Sequence, residues 1–94
     1  MKNKLKLILW GKNLNIPMNF DNLDFNTYKL EYIYKQYKLS LYKNNIIIKK
    51  FTFYKNGNVF NQYNFINGKI DGMQYWWREN GELVSMWEYN FYKI

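Results

Sequence analysis

Few side chains in this sequence could support covalent or acid–base chemistry. There is no cysteine and no histidine, which removes thiol nucleophiles, disulfides, zinc–thiolate sites, the commonest metal ligand and the commonest general base. The seven carboxylates are Asp21, Asp24, Glu31, Asp71, Glu79, Glu82 and Glu88. None stands in a pattern that pairs a nucleophile with a base, and Glu79 and Glu82 flank a turn, where solvation is their simplest role. No glycine-rich phosphate loop is present. The chain is therefore expected to be no enzyme and to hold no cofactor, no metal and no small-molecule substrate. Noncovalent binding remains, and two sets of residues could carry it. Lys29, Lys35, Lys38, Lys43, Lys49 and Lys50, interleaved with tyrosines, could contact phosphates while rings stack on bases. Tyr54, Phe60, Trp76 and Met86 could seat against another protein.

Positioning either set requires strands, and the sequence marks them with turns. Asn56-Gly57, Asn67-Gly68 and Asn80-Gly81 punctuate runs of aromatic and polar residues, and each pair is predicted to form a two-residue type I′ hairpin turn with both central φ angles positive. The expectation is an all-β antiparallel meander of hairpins forming a curved single sheet. If alternation is regular, Phe51, Phe53, Val59, Tyr63, Phe65, Tyr75, Trp77, Leu83, Trp87 and Tyr89 share one face, the core. The other face would carry Thr52, Gln62, Asn64, Gln74, Arg78 and Glu88, together with the four apolar residues Tyr54, Phe60, Trp76 and Met86.

The turn glycines Gly57, Gly68 and Gly81 stand 11 and 13 residues apart, so a unit repeats every 24 residues. That period aligns Phe53 with Trp77, Gly57 with Gly81, Val59 with Leu83, Tyr63 with Trp87 and Phe65 with Tyr89. A weaker copy upstream sets Leu39, Leu41, Asn44, Ile46, Phe51 and Phe53 against Tyr63, Phe65, Gly68, Ile70, Tyr75 and Trp77. Periods in this range signal stacked supersecondary units that cannot bury an apolar face alone. Within the repeat, Asp71-Gly72 reads as a bulge or turn.

The residues Phe65, Asn67, Gly68, Lys69, Asp71, Gly72, Tyr75, Trp77, Glu79, Asn80, Gly81 and Leu83 resemble the variant MORN repeat. In that repeat an aromatic-x-Asn-Gly-Lys-x-Asp-Gly segment precedes a Tyr/Trp-rich strand and Glu-Asn-Gly-x-Leu. The resemblance covers about residues 51–89 and extends, degenerate, back to about 39. It implies a curved sheet of β-hairpins used for protein association, sometimes near membranes, and no enzyme chemistry; a bacterial branch is described as antitoxins. Phe91-Tyr92 stands where another Asn-Gly would fall, so the array is expected to stop there.

The remaining chain fills in one domain over residues 1–94, with 1–26 as an N-terminal strand and docking loop and 27–94 as the repeat sheet. Met1 to Trp10 alternates Leu5, Leu7 and Leu9 with Lys4, Lys6 and Ile8, a half-buried strand rather than a signal peptide. Gly11 to Asn26 has no steady period and reads as an irregular loop whose Leu14, Ile16, Met18, Phe20, Leu23 and Phe25 dock on the sheet and cover part of it. From Thr27 to Tyr42 alternation returns, with a parity switch near Lys35-Gln36 that marks a bulge or turn. Asn45 to Phe53 reads as a strand with Ile46 to Ile48 at its buried centre.

No stretch approaches the ~20 apolar residues needed to span a bilayer. The net charge of +7 would suit RNA or an anionic membrane surface, although Lys, Asn, Ile, Tyr and Phe all have A/T-rich codons and part of that charge reflects codon bias. A short meander leaves two open edges that need a partner or a cover. The leading expectation is thus a non-catalytic accessory subunit of a larger assembly. Its codon usage with frequent Trp suggests a mitochondrial complex, against a bacterial cytoplasm or a large-virus particle. The alternatives are a basic RNA-binding protein of ribosomal type and an antitoxin-like binder of a toxin.

Overall fold

The computed structural model describes residues 4–9, 12–19 and 24–90, with side chains described for 14–16 and 24–90. The described residues form strands and turns without a helix. A two-stranded hairpin, β1 (Lys4–Leu9) and β2 (Lys12–Asn19), precedes β3 (Thr27–Ile33), β4 (Gln36–Lys43), β5 (Ile46–Phe53), β6 (Val59–Ile66), β7 (Lys69–Ile70), β8 (Gly72–Trp77) and β9 (Leu83–Tyr89). The main sheet is an open antiparallel meander in the order β3-β4-β5-β6-β8-β9, and the short β7 pairs with β6.

Turn chemistry explains the connections. Asn67 and Gly68 both have positive φ (52° and 79°), as do Asn44-Asn45 (52° and 67°) and Tyr34-Lys35 (53° and 65°), the signature of two-residue type I′ hairpins. The Tyr34-Lys35 turn accounts for the parity switch, one residue earlier than the sequence suggested. At Asn56-Gly57 and Asn80-Gly81 the expected type I′ turn is replaced by a longer loop in which the glycine alone takes positive φ, 95° in both. Gly57 N–H donates to Tyr54 O at 3.0 Å, and Tyr54 N–H to Asn58 O at 2.7 Å. Twenty-four residues on, Gly81 N–H donates to Arg78 O at 2.9 Å and Arg78 N–H to Glu82 O at 2.7 Å. Each asparagine spends its side chain on this loop: Asn56 Oδ1 accepts from Asn58 N and Asn80 Oδ1 from Glu82 N, both at 2.9 Å. That bond favours an Asx-type turn over the left-handed asparagine of a type I′ turn.

These loops also shift the register. Phe53 pairs with Val59 while Thr52 pairs with Asn61, and Trp77 pairs with Leu83 while Trp76 pairs with Ser85. One extra residue is inserted each time, Phe60 and then Val84, which reverses parity beyond it. The single odd-numbered stripe is therefore overturned. Phe51, Phe53, Val59, Tyr75, Trp77 and Leu83 lie on one face by register, and Tyr63, Phe65, Trp87 and Tyr89 on the other, so Trp77 and Trp87 point to opposite sides.

The core sits between the main sheet and the N-terminal hairpin. Leu14 and Ile16 of β2 are fully buried with Leu39, Leu41, Phe51, Phe53 and Val59, and Phe25, Leu30, Tyr37, Ile48 and Trp77 pack at the margin. Residues read as a docking loop thus supply a cover, but as a strand. β2 is fixed by Asn15 N–H to Gly57 O at 2.8 Å and Asn15 Nδ2 to Asn58 Oδ1 at 3.0 Å. Backbone groups on an extended segment are paired in this way where a loop would leave them unsatisfied. The docking side chain of Met18, Phe20 and Leu23, and the terminating Phe91-Tyr92, lie outside what is described. In β5 the buried end is Phe51 to Phe53, whereas Ile46 is 48% exposed, because the cover crosses the sheet near the Tyr54–Asn58 loop.

Asp71-Gly72 is a bulge: it separates β7 from β8, with Gly72 at φ 83°. Where β6 and β8 part, Gln74 takes over the ladder's hydrogen bonding. Its Oε1 accepts from Asn64 N at 2.9 Å and its Nε2 donates to Gly72 O at 2.9 Å, while Asn64 Nδ2 donates to Met73 O.

Candidate binding surface

The face opposite the β1–β2 cover is open, and two kinds of side chain divide it. On its β6–β9 half, Tyr63, Trp76 and Trp87 form a run of edge-to-face rings, with centroids 5.9 Å and then 5.2 Å apart. Edge-to-face contact is a preferred aromatic geometry, so the rings hold one another in place. Tyr54 and Phe60 make a second such pair at 5.2 Å, and Tyr54 Oη is anchored by donating to Trp77 O at 2.7 Å. Between these pairs lies a hollow of about 530 Å³ floored by Trp76 and Trp87 and walled by Tyr54, Phe60 and Val84. A second hollow, about 450 Å³, shares both tryptophans and adds Tyr63, Ile70 and Tyr89.

Three of the four residues singled out for a partner, Tyr54, Phe60 and Trp76, are therefore brought together around one hollow. Met86 is not among them. It pairs with Tyr75, on the face of the sheet that holds the core, because the Val84 bulge lies between it and Trp76. Trp87, 62% exposed, takes the place that alternation gave to Met86. A signal for this existed in the sequence: the adjacent apolar pairs Val59-Phe60 and Leu83-Val84 interrupt strict alternation at the two bulges.

The lysines separate too. Lys29 pairs with Ser40 and Ser40 with Lys50, which pairs with Tyr63; Lys38 pairs with Thr52 and Thr52 with Asn61, which pairs with Trp76. Lys29, Lys38 and Lys50 hence share the open face with the aromatic run. Tyr28, Tyr32 and Tyr37, the tyrosines expected to interleave with them, project from the opposite face by the same pleat. Lys29 pairs with Glu31 at 3.4 Å, and Lys38 Nζ donates to Thr52 Oγ1 at 3.4 Å. Lys35 is on an exposed turn. Lys43 is held by Asp24 at 2.9 Å. Lys49 lies across from Leu41 on the core side, where its Nζ donates to Asn64 Oδ1 at 2.6 Å. Burial there pushes the Lys49 ammonium below its ordinary value, since desolvation disfavours the charged form.

The third feature is β9 itself. It is exposed at all seven positions, yet carries Leu83, Val84, Met86, Trp87 and Tyr89, each at least 45% exposed. It ends the strand order, so one row of its backbone groups faces away from the sheet. Glu79 and Glu82 are exposed beside it; Glu82 pairs with Arg78 at 3.2 Å. Among the described residues no three acidic side chains gather as a metal site, and no helix is long and apolar enough to cross a membrane. No family model, curated protein or solved structure matches the chain.

Proposed function

We propose that the chain is a non-catalytic assembly module that docks on another protein by accepting a partner strand at the outer edge of β9. The observation that carries this is the exposure of β9 along its whole length while it presents five large apolar side chains. Sheet edges are ordinarily blunted by charge, proline or a cover, because an unprotected edge recruits another chain. β3, at the other end of the sheet, is blunted in this way by Lys29 and Glu31. β9 carries Glu88 as its one charge. Strand addition would use its free N–H and C=O groups for affinity and the alternating side chains on either face for specificity. The MORN-like motif supports the same style of binding.

Mass spectrometry of the native complex tests the proposal. Leu83→Lys with Met86→Lys places two charges on exposed positions of β9, so the isolated chain should keep its β-sheet circular dichroism while the partner subunit is lost. A complex with unchanged composition would refute docking at this edge. Hydrogen exchange gives a second reading: amides of Leu83 to Tyr89 should slow at least tenfold in the complex relative to the free chain.

A further inference from the structure

The open face has a composition that edge docking leaves unused. Strand addition extends the sheet in its own plane, so the side chains perpendicular to it stay accessible after a partner strand has paired with β9. On that face the charged side chains of the strands are Lys29, Lys38 and Lys50 against Glu31 alone, by the printed register. Glu31 neutralises Lys29. Lys38 and Lys50 flank the small buried residues Ser40 and Thr52, which leaves the lysine stems standing above their neighbours. Beside them, one strand across, begins the run Tyr63, Trp76 and Trp87. Cationic and aromatic halves thus adjoin on one uncovered surface.

We propose that this face binds single-stranded nucleic acid without regard to sequence, with phosphates at Lys38 and Lys50 and bases stacked on Trp87 and in the hollows beside Trp76. Every base has a π-face, so stacking tolerates any sequence, and lysine–phosphate contacts are equally indifferent to it. Six strands at ~4.8 Å spacing give a platform about 24 Å wide, enough for a short single strand. A duplex hides its base faces and could use the lysines only. An acidic protein would satisfy the lysines but has no reason to require the exposed Trp87 ring, and that difference makes the ligand class testable.

Fluorescence anisotropy with labelled oligouridylate and oligothymidylate dodecamers, and with a duplex of equal length, is the experiment. The single strands are expected to bind at low salt and the duplex at least tenfold more weakly; RNA and DNA arms show whether the sugar matters. Trp87→Ala should weaken single-strand binding about five- to hundredfold, the worth of one stacked base, while Trp87→Phe, which keeps a ring, should retain most of it. Lys38→Gln with Lys50→Gln should reduce the slope of log K against log salt by about 1.4, two contacts at ~0.7 each for a single strand. Lys35→Gln, on the exposed turn, should leave affinity within twofold. No single-strand binding, equal affinity for the duplex, or equal loss in the Lys35 and Lys38/Lys50 variants would overturn the proposal. So would a Trp87→Ala chain that binds normally.

Discussion

Leu14→Ala tests whether the N-terminal hairpin is part of the fold or an appendage. Leu14 has no exposed surface and meets Leu39, Leu41, Phe51, Phe53 and Val59 in one cluster with Ile16. Truncation removes three carbons, about 2.4 kcal/mol of transfer free energy at ~0.8 per group. The cavity left behind raises this to roughly 3 kcal/mol or more, since flanking strands relax only in part. A domain of this size has a net stability on the order of 5–14 kcal/mol, so the variant should still fold but with a large fraction of its margin gone. Equilibrium urea unfolding followed by tryptophan fluorescence reads the loss directly. With m of about 1–1.5 kcal/mol/M, the midpoint should fall by about 2–3 M. Met86→Ala is the control: at 57% exposure it should cost about 0.5 kcal/mol or less. If Leu14→Ala moves the midpoint no further than Met86→Ala does, the hairpin is not packed on the sheet and the account of the core is wrong.

Three further outcomes follow from the same structure. Lys49 has a folded-state pKa below its ordinary 10.5, so the unfolded chain binds more protons at high pH; stability should rise as pH climbs from the depressed value towards 10.5, and Lys49→Met should remove that component of the pH–stability curve. Gln74→Leu strips the acceptor from Asn64 N–H and the donor from Gly72 O, and should cost about 2–4 kcal/mol in chemical denaturation, roughly 1–3 for each buried group left unpaired. Gly81→Ala meets no neighbour closer than Asn58 Nδ2 at 4.0 Å, so its cost is backbone strain at φ 95°, about 1–2 kcal/mol by thermal unfolding; a neutral result would mean that the loop relaxes to another turn.

What the sequence disclosed was set by how local each signal is. Asn67-Gly68 and Asp71-Gly72 could be assigned from neighbours alone, and both behave as read. The 24-residue period was equally legible and reaches down to individual bonds, since the Tyr54–Asn58 loop and the Arg78–Glu82 loop close with the same donors and acceptors. The upstream copy was aligned one residue out: Asn44 matches Asn67 in φ, a separation of 23 rather than 24. Less accessible was the face each aromatic would take. Alternation is an accumulating count, and one bulged residue inverts everything after it, so Tyr63, Phe65, Trp87 and Tyr89 were misplaced together while Phe51 to Val59 were not. β2 was missed because Pro17 and its turn-forming neighbours weaken the strand signal, and only contact with Gly57 and Asn58 shows what its backbone pairs with.

The two bulges also explain how a chain this short can possess both a core and a second apolar surface. Had parity run unbroken, Tyr63, Trp87 and their neighbours would have joined Phe51 and Phe53 on the covered side. A hairpin of two strands cannot bury that much area. Inserting Phe60 and Val84 diverts half of the large rings to the face that has no cover, at a local cost in ladder pairing. The diversion repeats at the same place in both units, and the inserted residues themselves wall the hollow beside Trp76. Exposed rings produced by a device that recurs with the repeat are a consequence of the architecture rather than of incomplete packing at one edge. Large exposed apolar patches on small domains mark interaction sites, and here the patch adjoins Lys50 through Tyr63. The surface that the bulges create is therefore the one on which charge and stacking meet.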